Sequence, residues 1–499
     1  MSNPPPRPRP IKEPSYLDVL ISLVVLIVSI GGAVSLFGLN AIDGPVQVAL
    51  IFSTMVAALI ILKNGHPWSD ISAAGGRAIS SIVSAVFILL AVGALIGTWN
   101  MSGTIPTMVY YGIQLLQPNW FYAASALICG VVSMGIGSSW TTVGTIGVGL
   151  VGIASLLGVS PVITAGAVIS GSYFGDKTSP LSETTVLSAQ LAGVDIYTHI
   201  RTQIWTSVPA FVIAFVIFIM LGLRETVVAS LETATDLAQL NQLFWITPLN
   251  LLPLVFLVVF SIRKVPASLA IMSAALVAGV LGAIFQPQAI LRFVNDPTLG
   301  APLVYIKGIW MALANGYQEN SGIADIDMLL SRGGMDSMLY TLWIIIGAVT
   351  FGALMEEFGL LAKLINPILY RAKTTGLLFA TVIATAIGLN ITAGDQYIAL
   401  VLPLRLFRIE FQKRGLSPQN LSRAAADGGT VTSPLVPWNS CGAYMAATLG
   451  VSTFLYLPFA IFNIASPILS LLYGITGFRI ARMPPISNPE LAPTSEVKT

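Results

Sequence analysis

The chain has 499 residues, of which 55% are hydrophobic and 9% charged, with a mean hydropathy of +0.83 and a formal net charge of +2. That composition lies outside the range of soluble globular domains and points to a polytopic membrane protein. So small a net charge gives no handle on nucleic acid, and Cys129 and Cys441, far apart in apolar surroundings, support neither a disulfide framework nor a clustered metal site.

In chain order, residues 1–16 form a Pro-rich basic stretch that reads as a disordered cytoplasmic tail, followed by an apolar run too long for a signal-peptide core. Apolar runs near 20 residues then recur, as in LDVLISLVVLIVSIGGAVSLF (17–37), SIVSAVFILLAVGALIGTW (81–99) and SVPAFVIAFVIFIMLGL (207–223). They lack the alternation of an outer-membrane barrel, so the spans are helical. Basic residues set orientation. Arg7, Arg9 and Lys12 place the start inside, and Lys63 and Arg77, Arg263 and Lys264, Arg371 and Lys373, Arg405 to Arg423, and Arg479 and Arg482 mark further cytoplasmic stretches. The polar segments 224–243 and 287–337 are then external. The expected organisation is a first transmembrane repeat at 17–223, a connecting region at 224–337 holding two transmembrane helices, a second repeat at 338–478, and a cytoplasmic tail at 479–499.

Internal similarity supports the repeats. GALI at Gly93 returns as GALM at Gly352, GVSP at Gly158 as GLSP at Gly415, and TSPL at Thr178 as TSPL at Thr432, with offsets 352−93 = 259, 415−158 = 257 and 432−178 = 254. The fold class expected is all-α, with roughly ten to twelve transmembrane helices in two inverted repeats whose broken or re-entrant helices meet at mid-membrane. The first break is read around Gly175 and Pro180 and the second around Gly429, Pro434 and Pro437.

Charges and hydroxyls gather at these breaks. Asp176, Lys177, Thr178, Ser179, Ser182 and Glu183 surround the first; Asp427, Thr430, Thr432, Ser433 and Asn439 surround the second, with Asp395 ending a nearby apolar span. Oxygen atoms of these kinds suit a small hard cation stripped of water, and Na+ is the cation expected. Acids within the membrane are functional candidates by default. Burial disfavours a carboxylate's charged form, so one oxygen site holds either a proton or a sodium ion, and that exclusion is the basis of antiport. Structural roles compete with these: an Asp176–Lys177 ion pair, or Asp395 capping the following helix. Alternatively, Lys177 occupies the cation position when Na+ is absent. The chain has no nucleotide-binding loop, and His66 and His199 cannot make a zinc-protease motif, so an enzyme is not expected.

The segments GTIPTMVYYG (103–112), GSSWTT (137–142), GDKTSPLSETT (175–185), DQYIALVLPLRLF (395–407) and SRAAADGGTVTSPLVPWNSCGAYMAATLGV (422–451) resemble the signature segments of the NhaC family of bacterial sodium/proton antiporters, over about 20–478. Glu183, Ala426, Leu404 and Thr141 stand where the family pattern has other residues. The resemblance implies a multi-pass plasma-membrane exchanger of Na+ and H+, needing no cofactor, with the lipid bilayer as its other partner and a homodimer as one option for assembly. The alternative it leaves open is a Na+/H+-coupled exchanger of a small organic acid of the malate or lactate type.

Overall fold

The computed structural model describes residues 11–225 and 231–483. Residues 1–10 and 484–499 of the expected tails, and 226–230 of the connecting region, lie outside the described residues.

Among the described residues there are no strands, only helices and one isolated bridge between Leu416 and Arg482. Nine helices of the described residues are long and apolar enough to cross a membrane, and eleven spans result among them if two helix pairs, bent by 84° and 95°, each count as one. Pro45–Lys63 and Val83–Met101, at 19 residues each, rise about 28 Å, close to the hydrocarbon thickness of a bilayer. The Tyr16–Phe37 helix is apolar all round. Its Leu20, Val24, Ile27 and Val28 are exposed and belong against lipid, while Val19, Leu26 and Ile30 pack inward. The helix starts in a capping box in which Ser15 accepts from the Asp18 amide and Asp18 from the Ser15 amide. Just before it, the Lys12 amide donates to the Asn64 carbonyl at 2.9 Å, so the anchored chain begins before residue 16.

The repeat is visible in the helix ends. Gly137 and Gly394, Gly158 and Gly415, and Gly193 and Gly450 all have positive φ between 62° and 78°, and 394−137, 415−158 and 450−193 all equal 257. Each glycine ends a helix at the equivalent place in its half, where other residues are strained. Tertiary bonds obey the same offset. Ser133 Oγ donates to the Ser172 carbonyl at 2.6 Å; 257 residues on, Asn390 Nδ2 donates to the Gly429 carbonyl at 2.6 Å (390−133 = 429−172 = 257). The corresponding helices Pro161–Thr178 and Pro418–Gly428 touch through Lys177 and Asp427 at their C-terminal ends and do not pack along their lengths. Equivalent helices that meet by the same end fit the arrangement expected of inverted repeats.

One expected break is misplaced. Gly175 does not interrupt the chain but lies within Pro161–Thr178. A Cβ there would come within 2.3 Å of the Gly130 carbonyl, and one at Gly171 within 2.0 Å of the Ala126 carbonyl, so these glycines let the Pro118–Ile136 and Pro161–Thr178 helices touch backbone to backbone. Helix ends come instead at Ser179–Pro180 and, in the second half, at Gly429, with Pro434 in a 3-10 turn and Pro437 in the loop that join Pro418–Gly428 to the next helix. The polar connection reaches inward too: the Gly334 amide donates to the Gly93 carbonyl at 2.7 Å, midway along Val83–Met101.

Candidate functional site

The first break runs through Ser179–Ser182. Pro180 has no amide to continue the helix, and Ser182 restarts it by accepting from the Thr185 amide, as the N-cap of Glu183–Ala192. Asp176, one turn before the break, is buried and accepts from Ser139 twice, from Oγ at 2.6 Å and from the backbone amide at 3.2 Å. Ser139 begins the segment Ser139–Leu156, whose π-helical turn at Val143–Gly147 lies against the Ser440–Leu449 helix. Trp140 and Tyr444 stack there at 4.1 Å. The repeat mates of Asp176 and Ser139 are Ser433 and Gln396 (433−176 = 396−139 = 257), and they too face each other, at 3.5 Å.

Lys177 does not pair with its neighbour Asp176. Its ammonium reaches across the molecule to Asp427, and it also donates to Ser466 Oγ at 3.1 Å and Thr206 Oγ1 at 3.4 Å. Asp427 Oδ1 accepts in turn from Ser466 at 2.6 Å and from Thr206 at 3.4 Å. The side chains of Lys177 and Asp427 are 1% and 0% exposed, so water does not screen this pair. Asp427 Oδ2 and Thr430 Oγ1 are buried with no partner among the described residues.

The second break is a net of oxygens and amides. Asn390 Nδ2 bonds to the Gly429 carbonyl and Thr432 Oγ1, Asn439 caps Ser440–Leu449 through the Cys441 amide, and Asn439 Nδ2 donates to Asn390 Oδ1 at 3.0 Å. Ser433 Oγ donates to the Thr430 carbonyl. Asp395 caps Gln396–Lys413, with Oδ1 accepting from the Tyr397 and Ile398 amides at 2.8 and 3.0 Å. Tyr173 lies between the two breaks, its hydroxyl close to Ser433 and Cys441 without a well-formed hydrogen bond.

The geometry therefore joins Lys177 to Asp427 and gathers Thr430, Thr432, Ser433 and Asn439 around the second break. Thr178 and Ser179 bond only within their own turns, to the Phe174 carbonyl and from the Leu181 amide. Glu183 is exposed and accepts from the Tyr397 hydroxyl at 3.0 Å.

The profile of the Na+/H+ antiporter family matches residues 15–204 and 171–478. A Na+/H+ antiporter NhaC of Alkalihalophilus pseudofirmus is 33% identical over 469 residues, covering 94% of this chain and 98% of that protein. The chain belongs to the Na+/H+ antiporter family. Its resemblance to NhaC, and the multi-pass membrane location this implies, hold on these matches and on the spans. It is an antiporter. Two further relatives show the breadth of cargo in proteins so similar. A malate-2H+/Na+-lactate antiporter of Bacillus subtilis is 33% identical over 478 residues, 94% of this chain and 96% of the relative. An arginine/ornithine antiporter of Halobacterium salinarum is 31% identical over 501 residues, 96% of each.

Sequence reading passed over Ser139, Thr206, Ser466 and Arg423. Ser139 stands in the GSSWTT segment, a signal available but not used. Thr206, beside Ser207, and Ser466 are scattered hydroxyls in apolar runs, which carry none. Arg423 counts in sequence among the cytoplasmic positive charges, yet its side chain is fully buried one turn from Asp427.

Proposed function

We propose that this antiporter exchanges Na+ for H+ at the Lys177–Asp427 pair. The observation that carries the reading is that the ammonium of Lys177 sits among oxygens suited to sodium: Asp427, Ser466 and Thr206 surround it, and Asp427 Oδ2 and Thr430 Oγ1 stand unpartnered among the described residues. Lys177 is then an internal competitor for the cation position. When Na+ settles on Asp427, two cations lie within a few Å; at about 4 Å and an effective dielectric near 20 their repulsion is on the order of 4 kcal/mol. The ammonium gives up a proton, leaving Asp427 paired with Na+ and Lys177 as a neutral amine. One Na+ is bound and one H+ released, so the charge of the site is unchanged.

In this reading Asp176, held by Ser139 beside the first break, and Asp395, the cap of Gln396–Lys413, are buried carboxylates that add negative potential around the pair. No cofactor enters this reading.

The test is purified protein in liposomes holding a pH-sensitive dye, with NaCl added outside. Sodium-dependent proton movement that is lost in Asp427→Asn and weakened in Asp176→Asn is expected. Liposomes containing folded protein that move no protons on sodium addition would overturn the reading.

A further inference from the structure

The helices Thr375–Thr392 and Ile461–Thr476 pack together near the end at which the first begins and the second finishes. A Cβ on Gly376 would come within 2.9 Å of the Ile475 Cα, and one on Gly474 within 2.5 Å of the Phe379 Cβ, so the two helices touch where side chains are absent. Past this contact the chain turns away at Gly477, with a φ of 73°. The turn leaves a cavity of about 640 Å3, open to the surface and within the ~300–1,000 Å3 of small-ligand sites. Where the two spans end, Thr375, Thr476 and Arg482 give the cavity polar atoms; Leu377 and Ala380, further into their span, and Ile475 make the rest apolar. Leu377 and Ile475 are exposed, so the apolar part continues onto the surface that faces lipid.

Arg482 is fixed in place by its backbone. The segment after the last helix is tied down on both sides of it: the Ala481 carbonyl accepts from the Ser417 amide at 3.0 Å and from Asn420 Nδ2 at 2.6 Å, and the Met483 amide donates to the Gly415 carbonyl at 2.8 Å. Arg482 itself bridges to Leu416, which lines the cavity. Its guanidinium borders the cavity and has no hydrogen-bond or ion-pair partner among the described residues. Arg414, close by, is occupied instead: Nε donates to Glu410 at 2.7 Å, and the remaining nitrogens to the Ala372 and Thr374 carbonyls. No Asp or Glu lines the cavity, and the exposed Lys373 stands beside its rim, so the local charge is positive.

We propose that this cavity is a binding site for an anionic phospholipid of the phosphatidylglycerol class, with the phosphate on Arg482 and an acyl chain along the apolar wall. A guanidinium matches phosphate oxygens in both charge and fork geometry, and the Thr375 and Thr476 hydroxyls add hydrogen-bonding capacity at the same level. The ends of two spans place that level at the boundary between hydrocarbon and water. The basic residues around it, Lys373, Arg414, Arg479 and Arg482, mark the side whose lipid surface is anionic, and basic pockets between helices on that side suit acidic head groups. A zwitterionic lipid brings the same phosphate together with an ammonium, and with no carboxylate in the lining that ammonium has no counter-ion here. The inference does not depend on which ions the protein exchanges.

The experiment titrates the full chain in detergent with phosphatidylglycerol or phosphatidylcholine of equal acyl composition and counts retained lipids by native mass spectrometry. Four proteins are compared: the parent; Arg482→Gln; Thr476→Trp, which fills the cavity without changing charge; and Arg263→Gln, at an exposed arginine between two other spans. The first phosphatidylglycerol is expected to bind the parent about fivefold or more tighter than phosphatidylcholine, a preference lost in Arg482→Gln and in Thr476→Trp and kept in Arg263→Gln. Equal binding of the two lipids by the parent, or the parent's preference surviving in Arg482→Gln, overturns the site. An equal loss in Arg263→Gln means diffuse surface charge and overturns it as well. Displacement of the lipid by inorganic phosphate or glycerol 3-phosphate at the lipid's own concentration assigns the cavity to a soluble phosphate and refutes a lipid site. If Arg482→Gln does not fold, Thr476→Trp decides: loss of the preference upholds the site, and an unchanged preference sinks it.

Discussion

Lys177 and Asp427 are bonded across 250 residues of chain, both of them buried, so separating them leaves a charge alone in a medium that does not solvate it. Removing one partner of such a pair costs about 3–5 kcal/mol, whereas replacing both with apolar groups is often neutral. Asp427→Asn is therefore expected to lower the melting temperature of the purified protein markedly, and Lys177→Met with Asp427→Leu to recover most of it while moving no sodium. Recovery of transport in the double variant would show that the pair is scaffolding. Sequence flagged both residues because charge is rare in this chain, but not their pairing, since the adjacent Asp176 was the nearer candidate. Asp176 is held elsewhere because Ser139 offers it both a hydroxyl and an amide. For Arg423, nearness to other basic residues outweighed the feature that matters: it stands four positions before Asp427 on one helix face, a spacing that carries it inward along with Asp427.

At the scale of helices, the breaks are made by caps and prolines and the contacts by glycines. Asp395 caps Gln396–Lys413 just as its repeat mate Ser138 (395−138 = 257) caps the helix after it, through the Thr141 amide. Asp395→Asn preserves the cap and removes the charge, so stability should hold within about 1 kcal/mol while the sodium KM rises; transport unchanged in that variant would reduce Asp395 to a cap. Glycines divide by what a Cβ would meet. Gly171→Ala drives a methyl into the Ala126 carbonyl and is expected to cost about 1–3 kcal/mol or more. Gly32→Ala, with nothing within 4 Å, should gain about 0.5–1 kcal/mol from helix propensity alone. Melting curves of the two variants against the parent check both signs. The glycines near the first break looked like helix breakers in sequence because a composition rich in Gly, Ser and Thr fits either a break or a tight helix contact. The deciding partner, Pro118–Ile136, lies on another segment. Pro180 was legible because a missing amide acts locally.

For the whole molecule, the repeat makes antiport a matter of two opposed halves. Tetrapeptide matches near one spacing revealed it in the sequence; the structure sharpens the spacing to 257 because capping glycines must align where side chains need not. The two halves meet through Lys177 from one and Asp427 from the other, so whichever cation occupies the pair determines how the halves are joined. Proton and sodium then compete for one position, and the competition has a sign. Lowering the pH favours the ammonium of Lys177 on Asp427 and excludes Na+; raising it frees the carboxylate for Na+. With one proton released per sodium bound, the apparent KM for sodium should rise about tenfold per pH unit on the acid side and level off at alkaline pH, with the maximal rate little changed. Sodium titrations of proton movement in liposomes at a series of pH values measure this slope. A KM that stays flat while the rate alone varies with pH would mean that the proton acts at a group away from the sodium site, and that competition at the Lys177–Asp427 pair does not couple the two ions.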